Sequence, residues 1–325
     1  MNNFLVTGAS GYVGREVVRQ LLAVGKQVTA LGRTAPPEGV AFLRADLVDA
    51  SGLERALAAT SFDCVIHLAS LPGDTGDPLQ MMRVNVNGCQ HLLEYARQSA
   101  VQRFVLASSI SAYEWYPATK FNPPDRMPVD EEHPCRPKDM YATSKRMQEL
   151  LATTYQHQYH VPTTALRLTA VVGPNGRGGG RGWREFAEKL AEGRSVQIPH
   201  FSMEELCHYV DIRDVGRMHL VAAEHPNAVG QIFNCCGPAP TRGSEFAAAV
   251  RRVAPGIEVA CGFPWSMAQG GEVAFDMSKA KRLLGFEPRY SLADSLRSIK
   301  QWVDDGGLSE NPMAKPEPFG AGVKA

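Results

Sequence analysis

The sequence predicts an α/β protein: a doubly wound parallel sheet with helices on both faces and a smaller C-terminal lobe. Three observations predict it. Apolar runs of strand length alternate with stretches of helical period from Asn3 to Leu168. Three glycines, Gly8, Gly11 and Gly14, follow the first run and open the first helix. A tyrosine and a lysine four apart, Tyr141 and Lys145, stand on a later helix, downstream of the pair Ser108-Ser109.

The elements follow in order. Asn3–Val6 reads as a buried strand. Over Tyr12–Val24 the residues Val13, Val17, Val18, Leu21 and Leu22 form one helical stripe. Strands are expected at Val28–Leu31 and Val40–Leu43, a short helix at Ser51–Ala59 and a fourth strand at Asp63–Ala69. A long helix over Pro78–Ser99, a fifth strand over Arg103–Ala107, a second long helix over Asp139–His160 and a strand over Thr164–Leu168 complete the pattern. Such alternation requires right-handed crossovers and hence a parallel sheet. Two irregular stretches interrupt it. Residues 114–138 carry six prolines, and 173–182 are glycine-rich. Shorter helices near 183–192, 211–223, 243–253 and 291–304, with a strand at Gln231–Asn234, read as the smaller lobe. The expected division is a dinucleotide-binding domain over 1–172 with parts of 205–235 interleaved, a substrate lobe over 173–304, and a disordered tail over 305–325.

Composition excludes several classes. The formal net charge is zero and no basic stripe occurs, so neither nucleic acid nor an anionic membrane surface is an expected partner. No apolar run reaches the ~20 residues that span a bilayer. The start at Phe4-Leu5-Val6 is too short for a signal-peptide core. Seven scattered cysteines without a Cys-x-x-Cys pair predict no disulfide framework and no metal site, and point to the reducing cytoplasm.

The glycines define a Rossmann-type cofactor turn. Gly8 permits the tight turn, Gly11 lets the backbone approach a pyrophosphate, and Gly14 allows close helix–strand packing. The helix N-terminus supplies N–H donors for the phosphates. Gly8, Ser10, Gly11, Tyr12, Val13 and Gly14 are therefore candidate cofactor contacts. The second strand ends Leu31-Gly32-Arg33-Thr34, with an arginine where an acidic residue would hold a ribose 2′-hydroxyl. NADP is favoured over NAD on that ground, although Arg33 reads equally as a solvated side chain.

Tyr141 and Lys145 project from one helix face, a turn apart. An ammonium near a phenol lowers the phenol's pKa and makes it a proton donor and acceptor near neutral pH. With Thr7–Gly14 and Ser108-Ser109, this run resembles the extended short-chain dehydrogenases/reductases, the NAD-dependent epimerase/dehydratase group, over roughly residues 1–304. The resemblance implies that Ser109, Tyr141 and Lys145 are catalytic and that Lys145 and Tyr141 also touch the cofactor. It implies that Asp46 and Leu47 lie at the adenine and that Leu68 and Ala69, after His67, line a ribose. Asn85, in Asn-Val-Asn-Gly, matches a residue under the nicotinamide half and reads equally as a polar group bonding nearby backbone. It also implies a homodimer through the helices at 78–99 and 139–160.

Departures from the family pattern narrow the reaction. Ile110 and Ser111 follow Ser109, so the carboxylate a dehydratase needs there is missing. Ala170 and Cys207 stand where sugar-nucleotide epimerases place an asparagine and an arginine on the diphosphate. Arg177, Arg181 and His208 are the remaining candidate substrate contacts, against the commoner reading of solvated loop arginines. The leading expectation is an NAD(P)-dependent oxidoreductase interconverting a carbonyl and a secondary alcohol on a small molecule. The alternative is a nucleotide-sugar epimerase with tightly bound NAD.

Overall fold

The computed structural model describes residues 1–36, 39–73, 77–113, 124–175, 180–262 and 273–309. Its first half runs β1 (Asn3–Thr7), α1 (Tyr12–Ala23), β2 (Gln27–Gly32), β3 (Ala41–Arg44), α2 (Ala50–Leu57), β4 (Cys64–His67), α3 (Pro78–Met81), α4 (Gly88–Gln98), β5 (Arg103–Ser109), α5 (Met140–Tyr159) and β6 (Thr163–Leu168). Then follow β7 (Ala170–Val172), α6 (Arg181–Ala191), β8 (Val196–Ile198), β9 (Leu206–Cys207), β10 (Tyr209–Asp211), α7 (Ile212–Glu224), β11 (Gln231–Cys235), β12 (Thr241–Arg242), α8 (Gly243–Val253), β13 (Val259–Cys261), α9 (Ser278–Leu284) and α10 (Leu292–Asp304).

Seven strands form one parallel sheet in the order β11-β6-β5-β4-β1-β2-β3. The order reverses between β1 and β4, so the carboxyl ends of these two strands flank the crevice where such sheets bind ligands. Leu5, Val65, Phe104 and Leu106 pack against the face carrying α4 and α5, while Phe4, Val6, Ile66 and Val105 face α1 and α7. Alternation along each strand divides the two cores. A third apolar cluster joins Tyr12 to Trp183, Phe186, Tyr209, Phe246, Leu296 and Ile299, so residues beyond β6 build a core of their own against the start of α1.

The long helix expected over 78–99 is divided: a π-helical turn, Met82–Asn87, separates α3 from α4. A π turn carries an extra residue and leaves no periodicity signal. Helix α9 and the two- and three-residue strands of the C-terminal half are too short to show a period, and sequence reading missed them. The first residues of the expected tail are structured. Residues Gly307–Ser309 form a 3-10 turn beneath Trp302, and the Leu308 carbonyl accepts from Arg184 at 2.8 Å. The rest of the expected tail, 310–325, lies outside the described residues, as do 114–123 of the proline-rich stretch.

Candidate active site

The turn after β1 is built for close backbone approach. Gly8 has φ +70°, and a Cβ there would lie 2.8 Å from the Ala69 nitrogen. A Cβ on Gly14 would lie 2.0 Å from the Gly8 carbonyl oxygen, so only glycine lets α1 start this near β1. Gly11 is the N-cap of α1 and supplies no side-chain cap, which leaves the first-turn N–H groups to an external acceptor. That cradle suits a dinucleotide pyrophosphate. Ser10 lies in the turn and Val13 in the helix's first turn. The Tyr12 ring faces the other way, and its hydroxyl donates to the Gly173 carbonyl at 2.9 Å. Below the turn, Thr7 Oγ1 lies 2.8 Å from His67 Nδ1 and accepts from the N–H groups of Leu68 and Ala69, both at 3.2 Å. This fixes the β4 end that sequence reading assigned to a ribose.

At the far end of the crevice, Arg33, Arg44, Asp46, Asp49 and Arg55 line a cleft of about 470 Å³. Arg33 is mostly exposed and lies 3.9 Å from the Asp46 carboxylate. Leu47, next to Asp46, is buried, and its carbonyl meets His91 Nδ1 at 2.7 Å. No acidic residue ends β2; Asp46 approaches from the segment after β3 instead.

Ser109, Tyr141 and Lys145 come together at the end of β5. Ser109 lies close enough to the Tyr141 hydroxyl to lower its pKa, while the Ser109 hydroxyl itself donates to Ser111 Oγ at 3.0 Å. Ser109 Oγ also accepts from the Ser111 N–H at 3.1 Å, which ends the strand in a 3-10 turn. Lys145 is buried and donates to the Ala107 carbonyl at 2.9 Å. Its nitrogen lies 5.9 Å from the Tyr141 ring centroid. The lowered phenol pKa expected from the Tyr-Lys spacing is corrected here. Burial pushes the Tyr141 phenol up to about 12, Ser109 lowers it, and Asp139 raises it again. Lys145 spends its charge on a carbonyl, and burial brings it down to about 8 against the pull of Cys89 and Glu149. His67 stays neutral: burial, then the Lys145 charge, drive it down to about 3.

Two expected ligand contacts have protein partners of their own. Asn85 is fully buried; its amide accepts from the Leu71 N–H at 2.7 Å and donates to the Leu71 carbonyl at 3.2 Å and to Ser144 Oγ at 2.9 Å. It ties the β4–α3 connection to α5, and both of its amide hydrogens are taken by protein acceptors. His208 is equally committed. Its Nδ1 accepts from the Phe275 N–H at 3.1 Å, so Nε2 carries the proton and donates to the Gly237 carbonyl at 2.9 Å. Burial holds it down at about 4, opposed by the Gly237 bond. Arg177 lies outside the described residues, and Arg181 is the first residue of α6. Ala170 and Cys207 are buried in short strands. Among the described residues no cluster has the makings of a metal site, and no helix is long and apolar enough to cross a membrane.

Comparison with known proteins decides the family. The family model described as the NAD dependent epimerase/dehydratase family matches residues 4–236. The chain belongs to that family. Within the epimerase/dehydratase family, a UDP-glucose 4-epimerase of Mycolicibacterium smegmatis is 28% identical over 308 residues, covering 90% of this chain and 95% of its own. The UDP-glucose 4-epimerase of Thermus thermophilus, solved in complex with NAD, is 28% identical with a TM-score of 0.77, covering 92% of this chain and 97% of its own. The UDP-glucose 4-epimerase of Thermotoga maritima, solved with UDP-glucose, has a TM-score of 0.81 at 23% identity over 94% of this chain and 99% of that one, a likeness of fold. Family membership makes this chain one of a family of nicotinamide-dependent enzymes, with the Rossmann-type sheet the sequence predicts.

Sequence reading also passed over the groups behind the site. Gln148 donates to the Asn85 carbonyl at 2.7 Å and lies 3.4 Å from His67 Nε2. Glu149 accepts from Ser108 and Arg167. Their signal was spacing: Tyr141, Lys145 and Glu149 repeat every four residues on one helix face.

Proposed function

We propose that this chain is an epimerase that oxidises and re-reduces one secondary alcohol carbon of a nucleotide sugar on bound NAD. The observation that carries the proposal is the convergence of Ser109, at the end of β5, with Tyr141 and with Lys145, which lies one turn along the same helix and 5.9 Å from the Tyr141 ring centroid. Ile110 and Ser111 beside it are buried and carry no carboxylate, which argues against a dehydratase. The 4-epimerases among the relatives move weight from a general oxidoreductase to this reaction.

In this reading Ser109 donates to the substrate oxygen and Tyr141 takes its proton, then returns it. Tyr141 rests as a phenol, so it needs the Lys145 charge close by before it can accept. Turning Lys145 from the Ala107 carbonyl toward the phenol supplies that charge. Bound nicotinamide supplies the hydride acceptor and donor. The glycine turn would hold its pyrophosphate, and Leu68 and Ala69 its ribose. The chain pairs with a second copy through α3–α4 and α5, where Leu79, Met147, Leu150 and Tyr159 are exposed.

A second reading, a dehydrogenase acting on a small hydroxy or carbonyl compound, is favoured by Ala170 and Cys207. Both are buried, and neither side chain carries a charged donor for a diphosphate. In this second reading the cofactor is NADP, its 2′-phosphate met by Arg33, Arg44 and Arg55 in the cleft they share with Asp46 and Asp49. The test is incubation of the enzyme with UDP-glucose and no added cofactor, followed by proton NMR, with calorimetric titration of UDP. Appearance of a second sugar epimer and UDP binding in the micromolar range support the epimerase. Absence of both transfers the assignment to the dehydrogenase.

A further inference from the structure

Behind Ser109 lies a polar assembly that the chemistry above does not use. Glu149 is fully buried on α5. It accepts from Ser108 Oγ at 2.6 Å, from Arg167 Nε and a terminal Arg167 nitrogen, both at 2.9 Å, and from Arg146 at 2.9 Å. Ser108 and Arg167 are cross-strand partners on β5 and β6, so one carboxylate caps both strands. The Arg167 guanidinium stacks 4.5 Å from the Tyr113 ring centroid, and the Tyr113 hydroxyl donates to Asn234 Oδ1 at 2.7 Å. Two successive residues of β5 are thereby tied to one face of α5, and Ser109 follows them beside Tyr141. The Ala107 carbonyl accepts from Lys145, and Ser108 donates to Glu149.

A buried ion pair is a poor stabiliser, since desolvation offsets most of its attraction. A pair in this place does something an apolar pair could not: it fixes direction as well as distance. We propose that Glu149, partnered by Arg167, is a positioning residue that sets the end of β5 against α5 and so holds Ser109 and Lys145 in register with Tyr141. The inference rests on the reading that these three residues do the chemistry. The charged and titratable groups facing Glu149 are Arg167 from β6, Arg146 and Lys145 from α5, and Cys135 from the segment before α5.

The test uses the full-length enzyme with Glu149→Gln and Ser108→Ala. Glu149→Gln keeps the side-chain shape and removes the charge one turn from Lys145. Lys145, followed by carbon NMR of labelled lysine, then titrates lower than in wild type, whatever the substrate proves to be. Its kcat falls about 10–100-fold, as small misplacements of reacting groups do, while cofactor affinity is unchanged. In a Ser109→Ala background the same change costs less, because one of the two residues it positions is gone. Ser108→Ala leaves the ion pair intact and serves if Glu149→Gln does not fold. It lowers kcat roughly fivefold, again less when Ser109 is absent. An unmoved Lys145 titration, or penalties that multiply fully across the Ser109 cycle, would overturn the proposal. Loss of the epimerase reading alone would leave the Lys145 shift in place.

Discussion

His208→Phe separates a structural histidine from a substrate ligand. The ring keeps its size, but the Gly237 carbonyl loses a donor at 2.9 Å and the Phe275 N–H loses an acceptor at 3.1 Å. Two buried backbone groups left unpaired cost about 1–3 kcal/mol each. The expected loss near pH 7.5 is therefore about 2–6 kcal/mol. The loss depends on pH with a definite sign. Burial holds His208 at about 4 in the folded protein, against about 6.5 in the unfolded chain. The stability tied to the neutral ring is complete above about 6.5 and is lost as pH falls toward 4, an effect of about 3 kcal/mol. Phenylalanine does not titrate, so the wild-type advantage shrinks by about that amount between pH 7.5 and pH 4. Buried His67 and His219 are present in both proteins and cancel in the difference. Urea unfolding of both proteins across this range measures it. A difference constant with pH, or a raised KM with unaltered stability, would refute the reasoning and return His208 to the substrate site.

Three further outcomes are expected. Tyr141→Phe lowers kcat by at least about 100-fold and leaves cofactor affinity intact in fluorescence titration, since only the hydroxyl beside Ser109 is deleted. Gly14→Ala, whose Cβ would sit 2.0 Å from the Gly8 carbonyl, destabilises by about 1–3 kcal/mol and weakens the cofactor, read as thermal midpoint with and without dinucleotide. Arg33→Ala, in the arginine-lined cleft, weakens NADPH roughly tenfold or more and leaves NADH unchanged if a guanidinium reads the 2′-phosphate; equal losses show that it does not.

The fold and the glycine turn were legible because both follow from backbone requirements. Gly8 and Gly14 fill positions that a Cβ would close, and the alternation of strand and helix determines the sheet. The Tyr141–Lys145 spacing was legible for the same reason, since a helix fixes which side chains share a face. The phenol's pKa was not. It depends on where the Lys145 nitrogen points, and that nitrogen bonds the Ala107 carbonyl on a strand distant in sequence. Spacing fixes a face but not the partner chosen across it.

Asn85 and His208 show why the remainder was hidden. Each is a polar residue offered as a ligand contact, Asn85 by the family pattern and His208 as a remaining candidate. Each has protein partners at a junction where the chain leaves regular structure: Asn85 bonds the Leu71 N–H and carbonyl, His208 the Gly237 carbonyl and the Phe275 N–H. Backbone groups buried at such junctions require partners as strictly as those inside a helix, and a short amide or an imidazole is what reaches them. Glu149 is the converse case. Sequence gives a glutamate on a helix, which reads as solvated, yet Arg167 arrives from the strand beside Ser108 and makes it the centre of the wall behind the site. A buried polar side chain therefore discloses its task through its partners, and the partners are set by sheet order. In this chain that order brings β5 and β6 together under α5, and it places Glu149 where Ser109, Tyr141 and Lys145 converge.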